Sequence, residues 1–121
     1  MLSLKTLIAK ILAELKENIP QTYYITDTNI RTGRMVFTRK AGIVYMSAPN
    51  DFMKLPAGQY SNIGTLPQWA RPITEQMLRV QNNRNLIMCN IRPDGTVRFY
   101  NYDTAITTNT NGAFSGCWIA G

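Results

Sequence analysis

RMVFTRKAGIVYMSA (34–48) decides the fold. Two runs rich in β-branched and aromatic residues, RMVFTR (34–39) and IVYMSA (43–48), flank Lys40-Ala41-Gly42. Such residues suit a pleated, half-buried surface, and a very short connection holding Gly where positive φ is needed reads as a hairpin. Working outward, TYYIT (22–26), QYSNIGTL (59–66), NLIMCNI (85–91), TVRFYNY (96–102) and AFSGCWIA (113–120) have the same character, while EQMLRVQ (75–81) fits helix or strand, with strand favoured by the NNRN turn that follows it. In TVRFYNY the alternation puts Val97, Phe99 and Asn101 on one face and Arg98, Tyr100 and Tyr102 on the other. Pro93-Asp94-Gly95 is a turn: Pro presets φ, Asp bonds locally and Gly takes the positive φ. LPQWARPI (66–73) carries two prolines and is extended or turning rather than a central strand. Loops are expected at 48–58, 82–85 and 107–112. About eight short strands with turn signals every 8–12 residues argue an antiparallel β-sandwich or barrel.

Residues 2–19 follow a different period. Leu4, Leu7, Ile8, Ile11, Leu12, Leu15 and Ile19 recur at three- and four-residue spacing, Ser3 caps the start and Pro20 stops the run. With Leu4 at d, Ile8 falls at a, Ile11 at d and Leu15 at a, while Leu7 and Leu12 widen the stripe. Ile at both a and d favours three or four strands over two. A helix this short is marginal alone in water and must pack on something. A trimeric bundle built on Leu4, Ile8, Ile11 and Leu15 is the first expectation. Packing on the β-part or lying on a membrane surface are the alternatives. Tyr23 and Tyr24 are expected to staple the helix to the β-part. The division is therefore a trimerisation helix, 1–20, and a mainly β domain, 21–121.

Composition narrows the chemistry. The chain has 121 residues, 17% of them charged, with 13 Lys and Arg against 7 Asp and Glu for a net charge of +6. The basic residues are scattered, with only Arg39-Lys40 adjacent, so no basic arm for nucleic acid stands out. Histidine is absent. That removes the commonest general base and metal ligand and every Ser-His or Cys-His arrangement. Cys89 and Cys117 stand in apolar settings and read as reduced, buried small hydrophobes, although a bridge between them is not excluded by sequence. No pair of carboxylates has a spacing that points to catalysis, and no glycine-rich phosphate loop occurs. No enzyme, no catalytic residue, no metal and no cofactor are expected, and no membrane span or leader pattern is visible. Trp69 is expected to pack its loop onto a sheet, and Trp118 to lie in the core. Arg98, Tyr100 and Tyr102 form a polar aromatic face of the kind that binding surfaces favour. They are the candidate ligand residues, with a subunit interface as the alternative.

Five segments, in order, resemble the C-terminal domains of tail-fibre and receptor-binding proteins of phages of Gram-positive bacteria: VFTRKAGIVYMS, LPAGQYSNIG, IGTLPQWARPI, IRPDGTVRFY and FSGCWIAG. SLKTLIAKI is also similar to the opening of short phage reading frames of this kind. The resemblance covers roughly 2–20 and 34–120. It implies a trimeric β-structure at the end of a fibre, some members of which bind host cell-surface polysaccharide. It also implies a scaffold role for Trp69 and Arg71. The chain departs from the pattern in lacking a long shaft, so the N-terminal helix is the only stalk. The expectation is a non-enzymatic virion protein, made in the bacterial cytoplasm, a homotrimer in contact with other virion proteins. A single-stranded nucleic-acid-binding β-barrel, or a purely structural assembly or decoration protein, is the alternative.

Overall fold

A computed structural model describes residues 3–27, 34–52, 54–82, 85–108 and 110–121. Helix α1 (Leu4–Asn18) precedes eight strands: β1 (Gln21–Thr26), β2 (Arg34–Lys40), β3 (Ile43–Phe52), β4 (Tyr60–Thr65), β5 (Gln76–Val80), β6 (Ile87–Ile91), β7 (Thr96–Asn101) and β8 (Thr110–Ile119). The protein is mainly β. Its strands form two four-stranded antiparallel sheets, ordered β1-β2-β3-β8 and β4-β7-β6-β5, which make a small sandwich.

Each sheet follows from local pattern. Lys40 pairs with Ile43 across a two-residue turn in which Ala41 has φ 52° and Gly42 φ 77°. Two successive positive φ values give the turn whose twist matches the flanking strands. Alternation then sends Met35 and Phe37 of β2, Val44, Met46 and Ala48 of β3, and Val97 and Phe99 of β7 inward, all buried. Phe99 sits at the centre, edge-on to Phe52 at 5.1 Å and to Phe114 at 5.8 Å between ring centroids. Trp118 packs against Phe37 at 6.2 Å, as expected of a core residue.

The LPQWARP segment is a clamp between the sheets. Residues Gln68–Ala70 form a single 3₁₀ turn. The Ala70 carbonyl accepts a bond from Trp118 Nε1 at 2.9 Å, and the Trp69 carbonyl accepts one from Arg39 Nη1 at 3.0 Å. Trp69 itself is partly buried against the core. Arg71 Nε donates to the Leu66 carbonyl at 3.0 Å, and Leu66 N–H donates to the Gly95 carbonyl at 2.8 Å. The segments IGTLPQWARPI and IRPDGTVRFY therefore meet in space. At the β5/β8 edges the sheets are joined by backbone: Gln81 and Ala113 exchange bonds at 2.8 and 3.0 Å, and Gly121 N–H donates to the Arg71 carbonyl at 2.9 Å. The architecture thus lies between a sandwich and a barrel.

Pairing also fixes which features share an end. Gln21 at the start of β1 lies opposite Arg39, and Ile43 opposite Ile119, so the helix joins at the end carrying the β2–β3 turn and the LPQWARP clamp. Phe52 pairs with Thr110 at the other end, and Leu55 bridges Ile106 there.

Several expectations change. The sequence between 48 and 52 is strand, not loop, and so is 110–112, because Ala48–Phe52 pair in register with Thr110–Phe114. Met53, Asn83, Arg84 and Asn109 of the expected loops, and Leu2 of the expected helix, lie outside the described residues. Ser3 caps α1 as expected, its Oγ accepting from Thr6 N–H at 3.1 Å. The helix does not pack on the β-domain: Leu4, Leu7, Ile8, Ile11, Leu12, Leu15 and Ile19 are 43–73% exposed. Tyr23 and Tyr24 do not staple it, since Tyr23 packs on the core while Tyr24 points outward under Arg34, whose Cζ is 4.3 Å from the ring centroid. Cys89 is buried but Cys117 is exposed, on the outer face beside Tyr45, and neither is in a disulfide.

Gly95 is the most constrained turn residue. It has φ 93°, and a Cβ there would lie 2.6 Å from Arg71 Nε and 2.8 Å from the Leu66 carbonyl oxygen. Gly95→Ala is expected to cost about 2–3 kcal/mol, against about 1 kcal/mol for Gly42→Ala, where a Cβ meets nothing. Urea midpoints of the two variants compare them directly. Beside it, Asp94 Oδ1 accepts from Thr96 N–H at 2.9 Å, and this bond, ahead of the charges of Arg92 and Arg71, holds the carboxyl below its ordinary value. A carboxyl lowered by folding stabilises fully above the unfolded value near about 4, and the contribution fades as pH falls through the folded value. The stability gap between wild type and Asp94→Asn is therefore expected at pH 7 and expected to close below about pH 4; a gap independent of pH would refute this role.

Candidate functional site

The outer face of the β4-β7-β6-β5 sheet gathers the residues singled out from sequence. Arg98 and Tyr100 of β7 point out of the sheet, and Tyr102, just past its end, continues their line. Tyr100 and Tyr102 lie 4.5 Å apart between centroids, inclined at 49°. All three candidates are thus neighbours.

The sheet adds a residue that sequence did not reveal. Tyr60 of β4 pairs directly with Tyr100, and the rings meet edge to face at 4.9 Å. Directly opposed aromatics on neighbouring strands stabilise each other and fix each other's rotamers. Arg98 then lies over Tyr60, its Cζ 3.6 Å from the ring centroid. On β6, Met88 is opposite Tyr100 and Asn90 opposite Arg98. The result is a ladder of three tyrosines with one guanidinium stacked at its foot.

Arg98 is held from below. Its Nε donates to Asn90 Oδ1 at 2.8 Å. Asn90 is 1% exposed although it points toward the outer face, because Arg98 and Met77 cover it. Its amide Nδ2 contacts the Gln76 carbonyl at 3.4 Å and Met77 Sδ at 3.0 Å. A buried amide needs such partners, and here they fix the plane of the guanidinium. Nothing in the sequence of NLIMCNI distinguishes Asn90 from a turn residue. Only its position opposite Arg98 gives it a role.

The exposed parts of this face are amphipathic. Tyr60 is 46% exposed and Tyr102 52%, so ring faces and hydroxyls both reach solvent. Among the described residues Arg98 makes no ion pair; the ion pair present, Arg92 with Glu75 at 3.2 Å, lies elsewhere at the rim of the domain. Stacked rings with a fixed guanidinium suit a ligand that has a flat apolar side and hydrogen-bonding edges. The trimerisation candidates Leu4, Ile8, Ile11 and Leu15 are placed together on α1, all exposed, and take no part in this face.

No protein-family model and no curated protein matches the chain.

If Asn90 orients Arg98, the two side chains are energetically coupled. A double-mutant cycle with Asn90→Ala and Arg98→Ala is expected to give a coupling of about 1 kcal/mol in urea unfolding, reduced from the buried-bond value by partial exposure. Zero coupling would mean that the Tyr60 ring alone holds the guanidinium.

Proposed function

We propose that the chain is a non-enzymatic phage structural protein, the trimeric tip of a tail fibre or receptor-binding device, contacting host cell-surface saccharide through its tyrosine ladder. The observation that carries this reading is the bare stripe of α1, with six Leu and Ile side chains exposed on a helix too short to be stable alone and Ile19 exposed just past its end. A contiguous apolar surface of that kind calls for a partner, and the a/d pattern favours three copies of itself. The helix joins the sandwich at the end opposite the Leu55–Ile106 bridge. A bundle there leaves the far loops and the ladder free to face a cell surface, and loops on a rigid scaffold are the usual place of recognition. The phage-like segments support the reading because two of them build the clamp that closes the sandwich. The protein would then act in the virion, beside other virion proteins.

Light scattering is expected to give three times the chain mass of 13.7 kDa at micromolar concentration. Ile8→Asp with Ile11→Asp is expected to give a folded monomer, with the β circular-dichroism signal retained. A wild-type monomer sinks the proposal. On a glycan array, Tyr100→Ala and Tyr102→Ala are expected to lose signal while the trimer persists.

One observation favours a second reading. A ladder of tyrosines with a stacked Arg also matches the platforms on which unpaired bases stack in single-strand-binding proteins, and the chain carries +6. Titration with a single-stranded oligonucleotide at two salt concentrations separates the readings, since binding that falls steeply with salt belongs to the second.

A further inference from the structure

At the end of the sandwich away from the helix lies a solvent-open hollow of about 570 Å³. Its walls are Asn85, Thr104, Ala105, Thr107, Thr108 and Thr110, with the buried Ile106 beneath them. The volume falls in the roughly 300–1,000 Å³ range of small-molecule sites. The hollow is not part of the ladder, yet it adjoins it in the chain: Tyr102 is followed by Asp103 and Thr104.

The loop that shapes the hollow is built rather than merely draped. Asn101, fully buried, sends its Nδ2 to the Thr104 carbonyl at 2.9 Å and accepts the Asp103 N–H at 3.0 Å. Asn85 Nδ2 donates to that same Thr104 carbonyl at 2.6 Å and to Asn101 Oδ1 at 3.0 Å. Asp103 accepts the Leu86 N–H through Oδ2. Ile106 and Leu55 exchange backbone bonds at 2.8 and 2.9 Å. A ligand entering therefore meets a loop whose ordering cost is already met in the fold. The Thr104 and Thr107 hydroxyls make no bond to another described residue, so they remain available.

The chemistry of the lining names the ligand class. No charged side chain lines the hollow among the described residues, so nothing there favours an anion or a cation. Grouped threonine hydroxyls, which both donate and accept, match the hydroxyls of an uncharged polyhydroxyl ring. We infer that the hollow is a second ligand site that takes one neutral sugar residue, and that the protein reads a glycan chain over at least two units, one here and one on the ladder. This inference rests on the saccharide reading of the ladder.

Amide NMR titration tests it with N-acetylglucosamine, galactose, glucose and rhamnose as separate millimolar probes. At least one sugar is expected to shift, saturably, the Thr104–Thr108 amides and the Asn85 side-chain NH₂. Filling the hollow with Thr107→Trp, or with Thr108→Tyr where the first variant disturbs the β6 and β7 amides, is expected to weaken that binding at least about tenfold. Absence of saturable shifts at the hollow with all four sugars overturns the inference, and so does binding that survives the filled variants. The two readings fail separately. A response confined to the backbone amides of Tyr60, Tyr100 and Tyr102 removes the hollow and keeps the ladder. A response confined to the hollow keeps the hollow and removes the ladder. Silence at both removes both.

Discussion

The antiparallel pairing of β8 with β3 is the constraint on which the rest of the domain depends. It runs unbroken from Ile43↔Ile119 to Phe52↔Thr110 and joins the middle of the chain to its last strand. Everything that closes the sandwich hangs from β8. Trp118 reaches the clamp carbonyl of Ala70, Phe114 completes the aromatic centre around Phe99, and Ala113 bonds Gln81 of the opposite sheet. A strand that supplies backbone bonds to both sheets and core side chains to their interior turns two marginal four-stranded sheets into one body. Isolated, neither sheet would cover its apolar face.

The ladder is a product of that closure. Tyr60 and Tyr100 lie far apart in sequence and meet because β4 and β7 are neighbours in the second sheet. The geometry that stacks Arg98 on Tyr60 requires in turn that Asn90 be buried beneath it. A surface that is already ordered loses little freedom when anything binds to it, so modest contacts suffice.

What was legible in the sequence was local. The β2–β3 hairpin, the Pro-Asp-Gly turn, the alternation of β7 and the helical stripe each lie within a few residues, and each has the expected form. Arg98, Tyr100 and Tyr102 were legible for the same reason, being alternate residues along β7 and just past its end. What stayed hidden was set by pairing across the chain. Thr107–Gly112 has the composition of a turn, yet 110–112 are strand because β3 offers a partner for them, and tertiary pairing outweighs propensity. Tyr60 and Asn90 look ordinary until the sheet order is known. Cys117 looks like its buried counterpart Cys89, but a one-residue choice of face in β8 places it outside.

The long reach of the β3–β8 pair also sets an order of events in time. During synthesis the β2–β3 hairpin is made early, whereas its second neighbour is the last strand to appear. Throughout that interval β3 is an open edge, rich in Val, Tyr and Met, and open edges of this composition invite pairing with other chains. Pro49 lies within that edge and has no N–H to offer a passing strand, so it interrupts the open edge until β8 arrives.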